Sequence, residues 1–381
     1  MMGKKGGGIL EHLGLYVHIP FCARKCAYCD FASWAGRQAD MPRYAAAVCD
    51  EIARRAEACG HPAADTVFFG GGTPSLLPPE IYQKIARALW ENFDIAPDAE
   101  WTVECNPGTL TAEFAAALKE SGCGRVSMGL QAAQPRLLAD LGRIHTLAQA
   151  QEAAALARQA GIGRLSLDLM LGLPGQTMAD MAQTLDAALA MGPGHLSCYA
   201  LIVEEGTPLY DRVERGEALL PGDQLDRAMY GLCRETLRAK GFHQYEISNF
   251  ALPGQECRHN VNCWRRQDYL GFGCAAHSLW RNERRANPRE IDAYLAGAAP
   301  ETERIGPGEA MFETMMLGLR LTRGVEEAAF ARRYGRELWA VYGEKLQPAI
   351  DDGRLQRENG HVFLTERGMD VMNSVLVALL D

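Results

Sequence analysis

Three cysteines, Cys22, Cys26 and Cys29, fall within eight residues of the stretch "HIPFCARKCAYCDFAS". That is ligand spacing, yet a structural zinc site takes four protein ligands. His18 is a nearby candidate for the fourth, but a lone histidine at a strand end more often serves a local hydrogen bond. A [4Fe-4S] cluster uses three thiolates differently: three irons are held by the protein and the fourth keeps a coordination position open. An open iron of this kind can hold S-adenosylmethionine and, by electron transfer, break its carbon–sulfur bond to give an adenosyl radical. Two residues after the last cysteine, where a further sulfur would be within reach, stands Phe31.

Other polar and glycine-rich groups recur after short apolar runs. "GLYVHI", "DTVFFG", "EWTVEC", "RVSMGL", "RLSLDLML" and "HLSCYAL" read as strands, separated by amphipathic segments such as "PPEIYQKIARALWENF" and "LAQAQEAAALARQAG". Six βα repeats with right-handed crossovers require a parallel sheet with helices outside it. The fold class is therefore α/β, a closed or partial (β/α)6 barrel over residues 13–240, with its chemistry at the C-terminal ends of the strands. There lie the cysteine trio, the turn "GGGTP" (Gly70 to Pro74), Glu104 and Asn106, Gln131, and Asp168 followed by "GLPGQT". The opposite strand ends show no such groups.

Residues 1–12 read as a flexible N-terminus, and 241–300 as a connecting segment of loop and strand. From 301 to 381 the pattern is helical, with "RLQRENGHVFLT" turning at Asn359 and Gly360, which suggests a C-terminal α+β, winged-helix-like domain.

With 48% apolar residues the 381-residue chain can bury a sizeable core. A net charge of -9 offers no general attraction to nucleic acid, and the arginine-rich "WRNERRANPR" reads as a solvated loop. No apolar run approaches the roughly 20 residues needed to span a bilayer, and "MMGKKGGGIL" lacks a signal-peptide apolar stretch. A cytoplasmic protein is expected, with its twelve cysteines reduced rather than paired in disulfides.

"CARKCAYC" is the C-x3-C-x2-C signature of radical SAM proteins, and the chain resembles the coproporphyrinogen oxidase-like branch of that superfamily. The resemblance runs from "LYVHIPFC" through "FFGGGTPSLL", "ECNPGTL", "SMGLQ", "LGRIH", "LDLMLGLPGQT" and "YEISNF" to "HNVNCW" and "DYLGFGCAAHS", nearly the full length. It implies a [4Fe-4S] cluster on Cys22, Cys26 and Cys29. It assigns Tyr16, Tyr28, Gly71, Gly72, Thr73, Glu104, Gln131, Arg143 and Asp168 to S-adenosylmethionine. The residue types suit those roles: glycines let backbone N–H groups approach, carboxylates accept from an ammonium or ribose, and an arginine clamps a carboxylate.

Within that branch two activities compete. The oxidases decarboxylate propionates of a porphyrinogen and extend the motif to C-x3-C-x2-C-x-C, with a longer N-terminal arm. The heme chaperones have phenylalanine there, as at Phe31, and carry an H-N-x-x-Y-W motif similar to "HNVNCW". The chaperone reading follows: a protein that binds heme and passes it to an acceptor, respiratory or otherwise, with a reductant for the cluster. The oxidase, or a related methyltransferase or heme-degrading enzyme, is the alternative. His259 is the implied heme ligand. Cys263, standing where the family has tyrosine, offers a thiolate instead, and His18, His145, His243 and His277 are weaker candidates.

Overall fold

The structure is a computed structural model that describes residues 13–380. The segment 1–12, expected to be flexible, lies outside the described residues. Six parallel strands follow one another across the centre of the sheet: β1 (Gly14–Ile19), β2 (Ala63–Gly71), β3 (Asp94–Cys105), β4 (Arg125–Gln131), β5 (Arg164–Leu171) and β6 (His195–Ala200). Along each strand, alternate residues serve opposite faces. Leu15, Val17, Val67, Phe69, Val103, Val126, Leu167 and Leu169 are fully buried in the main core. Each such side chain contributes about 1.5–3 kcal/mol by leaving water. The intervening Tyr16, Phe68, Glu104, Ser127 and Asp168 are left to line the barrel.

The helices between them begin and end where local chemistry dictates. α1 (Met41–Cys59), α2 (Pro79–Asn92), α3 (Ala112–Glu120), α4 (Leu147–Gln159) and α5 (Met178–Ala190) follow strands one to five. Thr146 with Gln149 and Thr177 with Asp180 form reciprocal capping boxes at the starts of α4 and α5. Losing such a cap costs about 0.5–2 kcal/mol. α1 stops at Gly60, whose φ of 79° is left-handed. α6 (Asp223–Ala239) closes the sixth repeat.

The segment 241–300 does more than connect. β7 (His243–Gln244) and β8 (Asn249–Ala251) extend the sheet antiparallel beyond β6, while β9 (Tyr269–Phe272) pairs parallel with β1. β10 (His277–Trp280), β11 (Glu283–Ala286) and β12 (Glu301–Arg304) continue from β9 to give twelve strands in an open sheet. These strands have two to four residues each, too short to show a period in the sequence. The arginine-rich run read as a loop is in fact a hairpin, β10 to β11. It turns on Arg281 and Asn282, with φ of 50° and 61°.

Between β8 and β9, α7 (Arg258–Trp264) carries the "HNVNCW" motif across the N-terminal end of the barrel. Thr66 on β2 stands level with Gly14, the first residue of β1, and with Glu100 of β3. The ring of His259 bonds to the Thr66 hydroxyl at 2.9 Å, and the His259 N–H donates to Glu100 at 3.2 Å. The expectation of apolar strand starts is overturned here. Glu100 forms a buried ion pair with Arg125 at 3.0 Å and also meets Arg164 at 3.4 Å. Interior positions come at every second residue of a strand, so one charge near its start reads as a boundary residue in sequence.

The C-terminal part holds its own apolar core on α8 (Pro307–Gly318), α9 (Glu327–Tyr334) and α10 (Leu338–Asp351). A three-stranded sheet of β13 (Val325–Glu326), β14 (Leu355–Glu358) and β15 (His361–Leu364) completes it. The β14–β15 turn has Asn359 and Gly360 at φ of 50° and 74°, the primed geometry that their sequence favours. Arg266, fully buried just beyond α7, reaches Glu313 of α8 at 2.6 Å and so ties this part to the barrel floor.

Candidate functional site

The loop after β1 is fastened from several directions. A two-residue pairing of Phe21–Cys22 with Trp34–Ala35 closes it, and the His18 ring bonds to the Ala32 carbonyl at 2.8 Å. Ala27 donates to the Leu141 carbonyl at 2.9 Å and accepts from the Leu209 N–H at 2.8 Å. Cys22 accepts from the Thr73 hydroxyl at 3.7 Å, and Cys26 from Arg143 at 3.6 Å. All three cysteines thereby line one cavity of about 420 Å³ at the C-terminal mouth of the barrel. Burial raises the Cys29 thiol above its usual range, with the Phe31 backbone working against that rise. Among the described residues, no such set is drawn together tightly enough for one metal ion. A cluster asks for less, because each thiolate takes a different iron.

The glycine turn after β2 is shaped by close approach. Gly71 has φ of 107°, and a Cβ there would lie 2.5 Å from the His18 ring; a Cβ on Gly72 would meet the Phe21 carbonyl at 2.8 Å. No other residue fits both places. The Gly71 N–H donates to Glu104 at 3.1 Å, joining the turn to the end of β3.

On the far wall, Arg143 donates to Asn106 at 2.6 Å and to the Gly129 carbonyl at 2.8 Å. The β4–β5 register shifts between Gly129 and Gln131, and Gln131 sits at φ of 64°. A bulge at the strand end re-aims this side chain into the mouth, at the cost of a left-handed backbone. Its amide accepts from the Tyr199 hydroxyl at 3.2 Å. Tyr199, at the end of β6, was missed from sequence; the signal was a lone aromatic at a sixth strand end, weak beside glycines and charges.

Eleven of the thirteen candidate residues line this cavity: Cys22, Cys26, Cys29, Tyr28, Gly71, Gly72, Thr73, Glu104, Gln131, Arg143 and Asp168. Tyr16 lines an adjoining cavity, its hydroxyl 3.0 Å from the His18 ring. His259 is at the other end of the barrel, stacked on Phe68 with its ring centroid 5.2 Å away. Burial pushes its pKa down to about 4. Cys263 is a turn further along α7, its thiol pushed up to about 11 by burial. Of the remaining histidines, His145 bonds to the Leu130 carbonyl, His243 pairs with Glu256, and His277 is exposed on β10.

Electrostatically the mouth holds two carboxyls that resist ionisation. Burial, then the nearby Asp168, pushes Glu104 up to about 8. Burial pushes Asp168 to about 6, against the pull of Ser197 and Arg143. Carboxyls whose folded pKa is raised bind protons on folding, so their contribution is full below the unfolded value and is lost as pH rises through the folded one. The ligand-free protein should therefore lose stability between about pH 4.5 and 8. Glu104→Gln, which keeps an acceptor for Gly71, should flatten that decline in thermal melts; an equally steep decline in the variant would exclude Glu104 as its source.

The radical SAM superfamily profile matches residues 16–188, and the HemN C-terminal domain profile matches 306–371. Heme chaperone HemW of Bacillus subtilis (strain 168) is 36% identical over 375 residues, covering 96% of this chain and 98% of its own. Heme chaperone HemW of Synechocystis sp. (strain ATCC 27184 / PCC 6803 / Kazusa) is 40% identical over 409 residues, covering 98% and 97%. In fold, the chain matches coproporphyrinogen III oxidase (HemN) from Escherichia coli, a radical SAM enzyme, at a TM-score of 0.83. The match has 23% identity and covers 97% of this chain and 90% of that one.

Proposed function

The chain belongs to the radical SAM superfamily and, within it, to the family of the heme chaperone HemW proteins; on that premise we propose that it binds heme and hands it to an acceptor protein. The observation that carries this reading is Phe31. The oxidases that this chain resembles carry a further cysteine at that position, whereas here an apolar ring, 65% exposed, stands at the rim of the mouth. Phe31 also lines the neighbouring cavity on the other side of the cluster loop. An apolar rim of this kind suits a large flat apolar cargo.

In the same reading Cys22, Cys26 and Cys29 hold the [4Fe-4S] cluster. Tyr16, Tyr28, Gly71, Gly72, Thr73, Glu104, Gln131, Arg143 and Asp168 hold S-adenosylmethionine. The residues present fit that pair: three thiols on one wall, and two carboxyls and a glycine cradle facing a guanidinium. When bound, the reduced cluster supplies the electron that cleaves the cofactor's carbon–sulfur bond. Arg143, held by Asn106 and the Gly129 carbonyl, is oriented for a carboxylate, and Glu104 is oriented by the Gly71 N–H. The acceptor, respiratory or otherwise, and the reductant act in the cytoplasm; among the described residues no helix is long and apolar enough to cross a membrane. The barrel of 13–240, the segment 241–300 and the winged part of 301–381 are its working divisions.

Anaerobically reconstituted protein should bind heme saturably and release it to an apo-acceptor, leaving coproporphyrinogen III unchanged. Conversion of that porphyrinogen to protoporphyrinogen IX with stoichiometric cofactor cleavage, and no saturable heme binding, would establish the oxidase instead.

A further inference from the structure

We propose that heme lies in the cavity between the cluster loop and the β10–β11 hairpin, with His277 as its iron ligand and Arg289 facing its propionates. This inference rests on the reading that heme is the cargo. The motif histidine does not fit a porphyrin in this structure. Only 6% of His259 is exposed, its ring is bonded to Thr66 and stacked on Phe68, and a Cβ on Gly14 would lie 3.0 Å from it. A ring enclosed in this way leaves no room for a group as wide as a porphyrin.

The cavity on the other side of the cluster loop has that room, about 740 Å³, within the roughly 300–1,000 Å³ of small-molecule sites. Phe31, Tyr269, His277 and Pro288 line it, beside the carboxyls of Asp30, Glu104 and Glu301. A flat macrocycle needs apolar side chains such as Phe31, Tyr269 and Pro288 to rest against. His277 is exposed, and no hydrogen bond to its ring occurs among the described residues. An imidazole of this kind is a normal iron ligand.

Its register partner on β11 is Ala286, so the space beside the ring is kept clear by a small side chain. At the rim Arg289 pairs with Asp30 of the cluster loop at 3.2 Å, with both side chains more than half exposed. Such a pair is readily exchanged for a carboxylate of the ligand. Phe31, Gly71 and Glu104 line both this cavity and the cluster cavity. Heme bound there would thus sit beside the S-adenosylmethionine site, with Phe31 between them.

The test is a hemin titration of the full-length, cluster-loaded protein, followed by Soret difference spectra and by electron paramagnetic resonance. Wild type should saturate with a histidine-ligated spectrum. His277→Ala should lose that spectrum and bind at least about tenfold more weakly, the loss typical of a disturbed metal-supporting group. Added imidazole should restore the spectrum, which a merely structural role for His277 would not allow. Ala286→Trp, filling the cavity from the neighbouring strand, should weaken binding while leaving the thermal melt unchanged. If His277→Ala binds with wild-type spectrum and affinity, heme lies elsewhere and this inference falls while the chaperone reading stands. If wild type shows no saturable binding, the chaperone reading itself falls.

Discussion

Replacing Cys26 with alanine is expected to empty the mouth of the barrel of iron. Anaerobically reconstituted wild type should carry about four irons and four sulfides per chain, and Cys26→Ala close to none. The reason is geometric: each of the three thiolates takes a different iron, and the further cysteine lining that cavity, Cys105, is buried at the end of β3 with its thiol held protonated by that burial. Cys26 is partly exposed and accepts only the Arg143 contact at 3.6 Å. Its loss should therefore move folding stability by no more than about 0.5 kcal/mol, the usual range for surface positions. Cys233→Ala is the opposite case, a fully buried thiol in the main core. It should lower stability and leave the iron content alone. Unchanged iron in Cys26→Ala would refute the cluster assignment.

Glu100→Ala is expected to be the most destabilising single change, costing about 3–5 kcal/mol in denaturant melts. Both Glu100 and Arg125 have side chains only 2% exposed, and two buried nitrogens of Arg125 find no hydrogen-bond partner among the described residues. Removing the carboxylate leaves that guanidinium uncompensated in the core. It also withdraws the acceptor of the His259 N–H and of the Cys257 thiol at 3.5 Å. The barrel floor would then lose its main anchor to α7. The double variant Glu100→Leu with Arg125→Met should recover much of the loss, because the charge and its partner go together. A loss below about 1 kcal/mol in the single variant would show that the floor is held by packing rather than by this pair.

Much of this was legible in the chain. The cysteine spacing announces a three-thiolate site because it is local. Six strands and their helices follow from the alternation of apolar runs with amphipathic segments and from caps such as Thr146 with Gln149 and Thr177 with Asp180. Eleven of the thirteen candidate residues then meet in one cavity because parallel strands bring their C-terminal ends to one rim. Tyr199 was overlooked because its partner, Gln131, is 68 residues away and points into the mouth only through a bulge. The buried Glu100–Arg125 pair escaped for a related reason: its two halves sit on neighbouring strands, each looking like a boundary charge.

The histidines mark the division most clearly. Residue type and motif singled out His259, but nothing local told whether its ring or that of His277 would be enclosed, since both lie in short elements of an aperiodic stretch. Three-dimensional placement separates them. α7 crosses the closed end of the barrel and commits the His259 ring to Thr66 and Phe68, whereas the β10–β11 hairpin leaves His277 exposed beside a cavity. The ligand types, the cluster spacing and the order of strands were set by the sequence alone, because each depends on neighbours a few residues apart. Which imidazole is enclosed and which stands open beside a cavity depended on how strands far apart in the chain come into register, and only the tertiary structure could decide that.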